Sequence, residues 1–191
     1  MKYKVMIVED QTMPRELFEL RVQASERFEL ALSIDNAALA DVYCLRFPVD
    51  LILMDVITRD GENGLDAAAR IKRAFPQIKI IIVTSMPECS YLKRAKEIGV
   101  ESFWYKEEQR ESLLDVMERT MNGESVYPGA SPELTLGMAS SYQFTERELD
   151  ILREITSGDT NQEIADRLNM SVATVKTHIL NMLEKTGFRN R

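Results

Sequence analysis

The sequence predicts an α/β protein: a five-stranded, doubly wound parallel sheet followed by a small all-α helix-turn-helix domain. Three observations carry this. Leu51 to Met54 form an unbroken apolar run that ends in the carboxylate of Asp55, as expected of a strand covered on both faces. Similar runs at 3–8, 78–83 and 100–105 also end in polar residues, and helical patterns alternate with them. From residue 144 the strand patterns give way to three short, closely spaced helix signals. With 191 residues, the chain has room for one large domain or two modest ones.

In chain order, Tyr3 to Val8 is the first strand, followed at once by Glu9 and Asp10. Pro14 suits the first turn of a helix, continued by Leu17, Leu20 and Arg21. Phe28 to Ile34 reads as a second strand and Ala37 to Arg46 as a second helix. After the third strand, a loop from Thr58 to Gly64 leads to a helix with Leu65, Ala68, Ala69 and Ile71 inward. Pro76 stops it, and Ile78 to Val83 forms a strand ending in Thr84-Ser85. A helix from Glu88 closes at Gly99, a residue suited to a C-cap. Val100 to Tyr105 is the fifth strand, ending at Lys106, and Glu111 to Met121 is the last amphipathic helix.

Residues 122–143, with Gly123, Pro128, Gly129, Pro132 and Gly137, read as a linker, with a short helical piece over 132–138. Domains are therefore expected at 1–121 and 144–191. Thr145-Glu146-Arg147-Glu148 and Thr160-Asn161-Gln162-Glu163 are capping boxes, each opening a short helix. Ser171 caps a third, with Val172, Val175, Ile179 and Met182 inward until Gly187. The tight turn Asn169-Met170-Ser171 makes the last two a helix-turn-helix.

A net charge of −7 argues against a nucleic-acid partner for the whole chain. The charge is uneven, however: residues 1–143 carry −6 and the tail only −1. Cys44 and Cys89, the two cysteines, form no C-x-x-C motif and read as free thiols in a reducing compartment. No apolar run approaches the roughly 18–20 residues that cross a bilayer, and the amino terminus lacks a signal-peptide layout. The expectation is a cytoplasmic protein.

In a doubly wound parallel sheet, Glu9, Asp10, Asp55, Thr84 and Lys106 converge at the carboxyl edge, where ligands bind. Crowded carboxylates repel unless a cation sits between them, and an incomplete cage of hard oxygens suits Mg²⁺. A lysine and a hydroxyl beside that cation match the oxygens of a phosphoryl group, and an aspartate is itself a competent nucleophile. The set points to an aspartyl phosphate formed on Asp55.

On these residues, 1–121 resembles the receiver domain (flavodoxin-like fold) of two-component response regulators. The resemblance assigns Glu9, Asp10, Asp55 and the main-chain carbonyl of Ile57 to Mg²⁺, with Asp55 as phosphoacceptor. It makes Thr84 and Lys106 the phosphoryl-binding pair, and Phe103 the aromatic that turns inward with Thr84. Asn161-Gln162-Glu163-Ile164-Ala165 and Thr174-Val175-Lys176-Thr177-His178, with the first capping box, resemble the LuxR-type helix-turn-helix of the NarL/FixJ class. That resemblance implies binding of double-stranded DNA, with Thr174, Lys176, Thr177, Asn181 and Lys185 in contact. It also implies a sensor histidine kinase as phosphate donor, a homodimer when phosphorylated, and a further helix after Arg191. A transcriptional regulator is expected rather than an enzyme.

Two alternatives stand beside this reading. A phosphohydrolase of the haloacid dehalogenase type shares the nucleophile but places a second Asp two residues on, where this chain has Ile57. A regulator that works without phosphorylation needs none of the five side chains at the strand ends, yet all are present.

Overall fold

The computed structural model describes residues 2–61, 63–86, 88–106, 111–129, 133–156 and 158–191. The Cys89 thiol and the Pro132 end of the expected helical piece lie outside the described residues. The chain divides into two compact units, Met1–Ser131 and Pro132–Arg191.

The first unit runs β1 (Tyr3–Val8), α1 (Thr12–Gln23), β2 (Phe28–Ile34), a 3₁₀ turn into α2 (Ala40–Arg46), and β3 (Leu51–Met54). It continues through α3 (Gly64–Ala74), β4 (Lys79–Thr84), α4 (Cys89–Ile98), β5 (Ser102–Tyr105) and α5 (Leu113–Met121). The strands pair in parallel in the order β2-β1-β3-β4-β5. Because the order reverses about β1, a crevice opens beyond the ends of β1 and β3. The register Val8↔Met54 carries on into a hydrogen bond from Asp55 N to the Val8 carbonyl (2.9 Å), which sets Glu9 and Asp55 side by side.

Both faces of the sheet are covered. Met6, Val8, Ile52, Met54, Ile80 and Ile82 pack with Leu65, Ala68, Ile71 and Ala95. Val5, Ile7, Leu51, Leu53, Ile81 and Val83 pack with Phe18, Val22, Val116 and Met117. All four side chains of β3 are buried, so a one-residue slip would exchange one core for the other and no solvent face compensates. That fixes the position of Asp55 along the edge. Two side chains depart from the sequence reading of α3: Ala67 is buried while Ala69 is only half-buried. Lys72 on the same helix turns inward to Glu101 (2.7 Å).

The linker expected over 122–143 is corrected by the packing. Residues 124–127 lie along β5: Phe103 N donates to the Val126 carbonyl (2.8 Å), and Val126 and Tyr127 join the two cores of the first unit. Residues 135–140 belong to the second unit and form a hairpin, β6 (Thr135–Leu136) with β7 (Ala139–Ser140), in place of the expected helical piece. Gly137 turns it with φ of 62°, and a Cβ there would lie 2.2 Å from the Thr186 carbonyl.

The second unit continues with α6 (Glu146–Thr156), α7 (Asn161–Arg167) and α8 (Val172–Thr186) around a core of Phe144, Ile151, Ile164, Val175, Ile179 and Met182. The Thr160 and Ser171 caps form as the sequence indicates. In α6 the fully buried positions are Ile151 and Glu148, while Leu149, Leu152 and Ile155 are half-buried at the margin.

Candidate functional site

Each strand end places its side chain by what the adjoining backbone does. Asp55 is the residue after β3; its Oδ1 accepts a hydrogen bond from Val56 N (2.7 Å), leaving Oδ2 to face Lys106. Glu9 and Asp10 follow β1, and Gln11 N donates to Glu9 Oε1 (3.1 Å). Lys106 follows β5, its own N–H bonded to the Thr84 carbonyl (2.9 Å). Its ammonium lies 2.5 Å from Glu9 Oε2 and 2.8 Å from Asp55 Oδ2. One carboxylate oxygen from each of Glu9, Asp10 and Asp55 lies within 4.8 Å of the other two.

Glu9 and Asp55 are 1% and 5% exposed. Burial pushes the Asp55 carboxyl above the ordinary carboxylate range, against the pull of Lys106 and the Val56 amide, while Asp10 adds to the rise. Glu9 rises for the same first reason, with Lys106 opposing and Asp55 adding. For Lys106 burial works downward, but the two carboxylates outweigh it and hold the ammonium above its usual value. One cation among three anions leaves the cluster under-neutralised, which is the condition a divalent ion relieves.

Thr84 is buried, its Oγ1 accepting from Met86 N (3.1 Å), so the hydroxyl proton remains available to a third group. Ile57 sits in the loop before α3, bridged to Asn63. Phe103 already occupies an inward place, 2% exposed, with its ring centroid 5.0 Å from that of Tyr105 and 6.4 Å from that of Tyr127. The loop Val56–Gly64 is pinned by Thr58 Oγ1, which accepts from Ala37 N (3.0 Å), and by an Arg59–Asp35 ion pair (2.6 Å).

Sequence reasoning passed over two contributors. The Val56 amide has no side-chain signal at all. Gly64 looks like an ordinary helix start, yet a Cβ there would lie 1.8 Å from the Asp55 carbonyl.

On α8, Val175, Ile179 and Met182 are buried, and Thr174, Lys176, Thr177, Leu180, Asn181 and Glu184 are exposed. Thr174 Oγ1 shares a hydrogen bond with Ser171 Oγ (2.8 Å), and Thr177 Oγ1 donates to the Ala173 carbonyl (3.0 Å). Lys185 is different. Its ammonium binds both oxygens of Glu148 (2.8 and 2.6 Å) and the Gln143 carbonyl (2.9 Å), so it braces α8 on α6 and is withdrawn from the expected DNA contacts.

Residues 5–118 match the family model described as response regulator receiver domain. The chain belongs to the response-regulator family. Residues 142–191 of this response regulator match the model for bacterial regulatory proteins of the luxR family. The response regulator protein VraR of Staphylococcus epidermidis is 34% identical, with 100% of this chain and 93% of VraR covered. VraR of Staphylococcus aureus is 33% identical over the same shares. Among solved structures, RcsB of Salmonella typhimurium is similar with a TM-score of 0.60 at 17% identity, covering 100% of this chain and 94% of that one. A structure of two RcsB dimers bound to two parallel DNAs gives 0.62 at 17% identity, covering 100% and 95%. A LuxR-family response regulator from Aurantimonas gives 0.62 at 20%, covering 69% and 91%. This response regulator thus joins a receiver to a LuxR-type DNA-binding domain, the arrangement of a phosphorylation-dependent transcriptional regulator.

Proposed function

We propose that Asp55 accepts the phosphoryl group from a sensor histidine kinase, and that the aspartyl phosphate controls binding of double-stranded DNA by α8. The observation that carries this is the single ammonium of Lys106 held by both Glu9 and Asp55, with the Asp10 carboxylate alongside. Three carboxylates at this spacing fit a Mg²⁺ ion; Glu9, Asp10, Asp55 and the Ile57 carbonyl would hold it. When bound, it supplies positive charge to the phosphoryl oxygens. An Asp55 oxygen forms the new O–P bond as the P–N bond of the kinase phosphohistidine breaks. Lys106 neutralises one phosphoryl oxygen, and the Thr84 hydroxyl donates its proton in a hydrogen bond to another. Phe103 keeps its inward place behind Thr84.

In α8, Lys176 and Thr177 read base edges in the major groove, Asn181 bonds an adenine edge, and Thr174 contacts phosphate. The phosphorylated chain acts as a homodimer, a reading supported by the RcsB dimers on DNA. It works in the cytoplasm as a regulator rather than as an enzyme. Among the described residues no helix is long and apolar enough to cross a membrane.

Acetyl phosphate tests the acceptor. With Mg²⁺ the full chain becomes labelled on one residue, and Asp55→Asn takes up nothing. Undiminished labelling of that variant would refute the assignment. For the DNA face, Lys176→Ala is expected to weaken binding to a duplex selected from a random pool by about 1–3 kcal/mol and to relax base preference at one position. A uniform loss across all duplexes, with a salt slope shallower by about one, would reassign Lys176 to a phosphate.

A further inference from the structure

The stretch after α5 closes the open edge of β5 by a specific set of bonds. Phe103 N donates to the Val126 carbonyl (2.8 Å), and Val126 N donates to Ser102 Oγ (3.1 Å). Ser102 Oγ lies 2.7 Å from Thr120 Oγ1, whose own proton goes to the Val116 carbonyl (2.6 Å). The direction of the relay is therefore fixed: Ser102 accepts from Val126 and donates to Thr120. Both hydroxyls are 0% exposed, so an unmade link would leave a buried polar group without a partner.

Tyr127 carries the strap onto the other core. Its phenol donates to the Val100 carbonyl (2.7 Å), its ring lies beside Phe103, and Lys96 Nζ stands 5.1 Å from the ring centroid. Burial pushes the phenol's pKa up, which keeps it a donor. An edge strand needs only some cover for its amides. This cover touches Phe103 twice, once through its backbone and once through its ring.

We propose that Tyr127, with the backbone of Val126, is a positioning element for Phe103: docking of the strap and occupancy of the phosphoryl site favour each other. The inference rests on the reading of Asp55 as phosphoryl acceptor and of Phe103 as the aromatic behind Thr84.

The test uses the full chain with Mg²⁺ and beryllofluoride as the phosphoryl mimic, read by Trp104 fluorescence and by exchange of the Phe103 amide. Coupling is reciprocal. Beryllofluoride should slow Phe103 exchange about fivefold, and Tyr127→Ala should quicken it and weaken beryllofluoride binding by about the same factor. Tyr127→Phe, which keeps the ring and loses only the bond to Val100, should move both quantities the same way by less. Exchange at Leu53, in the middle of the sheet, should not change, which separates strap release from unfolding. Faster Phe103 exchange in Tyr127→Ala with unchanged beryllofluoride affinity would overturn the proposal. A wild-type chain that binds no beryllofluoride would instead overturn the phosphoryl-site reading on which it rests.

Discussion

Gly64→Ala is expected to destabilise the receiver by about 3 kcal/mol or more and to slow labelling by acetyl phosphate about a hundredfold. In an ordinary helix the same change stabilises by roughly 0.5–1 kcal/mol, so even its sign is diagnostic. The reason lies in one close approach. Gly64 N donates to the Val56 carbonyl (2.7 Å), drawing the start of α3 against the end of β3. A Cβ at Gly64 would lie 1.8 Å from the Asp55 carbonyl oxygen and 3.0 Å from its carbon. Both are backbone atoms of the residue that directly follows a strand buried on each face, and they have little room to yield. Relief must come from displacing the peptide that carries the acceptor carboxylate, and a shift of about 1 Å is enough for the rate loss. Gly129→Ala, with nothing within 4 Å of its Cβ, is the matched control and should stay within about 0.5 kcal/mol of wild type. Thermal unfolding and the initial labelling rate check both.

Lys185→Ala should cost the second unit about 3 kcal/mol, the low end for breaking a buried ion pair because the lysine is 31% exposed. A unit of this size holds about 3–9 kcal/mol in all, at about 0.05–0.15 kcal/mol per residue, so the loss is large in proportion. Glu148 is the group left stranded. Burial alone raises its pKa, but Lys185 and the Thr145 cap outweigh that and hold it below the ordinary value. A folded-state value below the unfolded one contributes stability that is present above the unfolded pKa and fades as pH falls through the folded one. Wild type should therefore lose stability on acidification over that window, and Lys185→Ala should flatten the dependence. Loss of DNA affinity in Lys185→Ala with unfolding stability unchanged would return the residue to the DNA face.

These two cases show where sequence reading stopped. The sheet was legible because its strands are buried on both faces and so are apolar without interruption, each ending in a polar residue at the working edge. The caps Thr160 and Ser171 were legible because capping is local chemistry. Lys185 misled because a cation in the last turn of a helix ordinarily faces water; only the fold brings α6, with Glu148 already committed to the Thr145 cap, beneath it. Residues 122–143 misled for a related reason. Pro128, Gly129 and Gly137 break periodicity as a linker does, but the apolar pair Val126-Tyr127 inside that stretch was the signal of a docked segment. The hairpin at 135–140 depends on the approach of Gly137 to the end of α8, a contact with no counterpart in local sequence.

Titration with Mg²⁺, followed by calorimetry across a pH series, bears directly on the claim that carboxylates from two strands serve one ion. Wild type should bind one ion. Because the Glu9 and Asp55 values are raised, protons compete at higher pH than for ordinary carboxylates, and affinity should climb as pH rises through them. Asp10→Asn and Asp55→Asn should each weaken binding at least tenfold. Wild-type affinity in both variants, or affinity indifferent to pH across that window, would contradict a shared site.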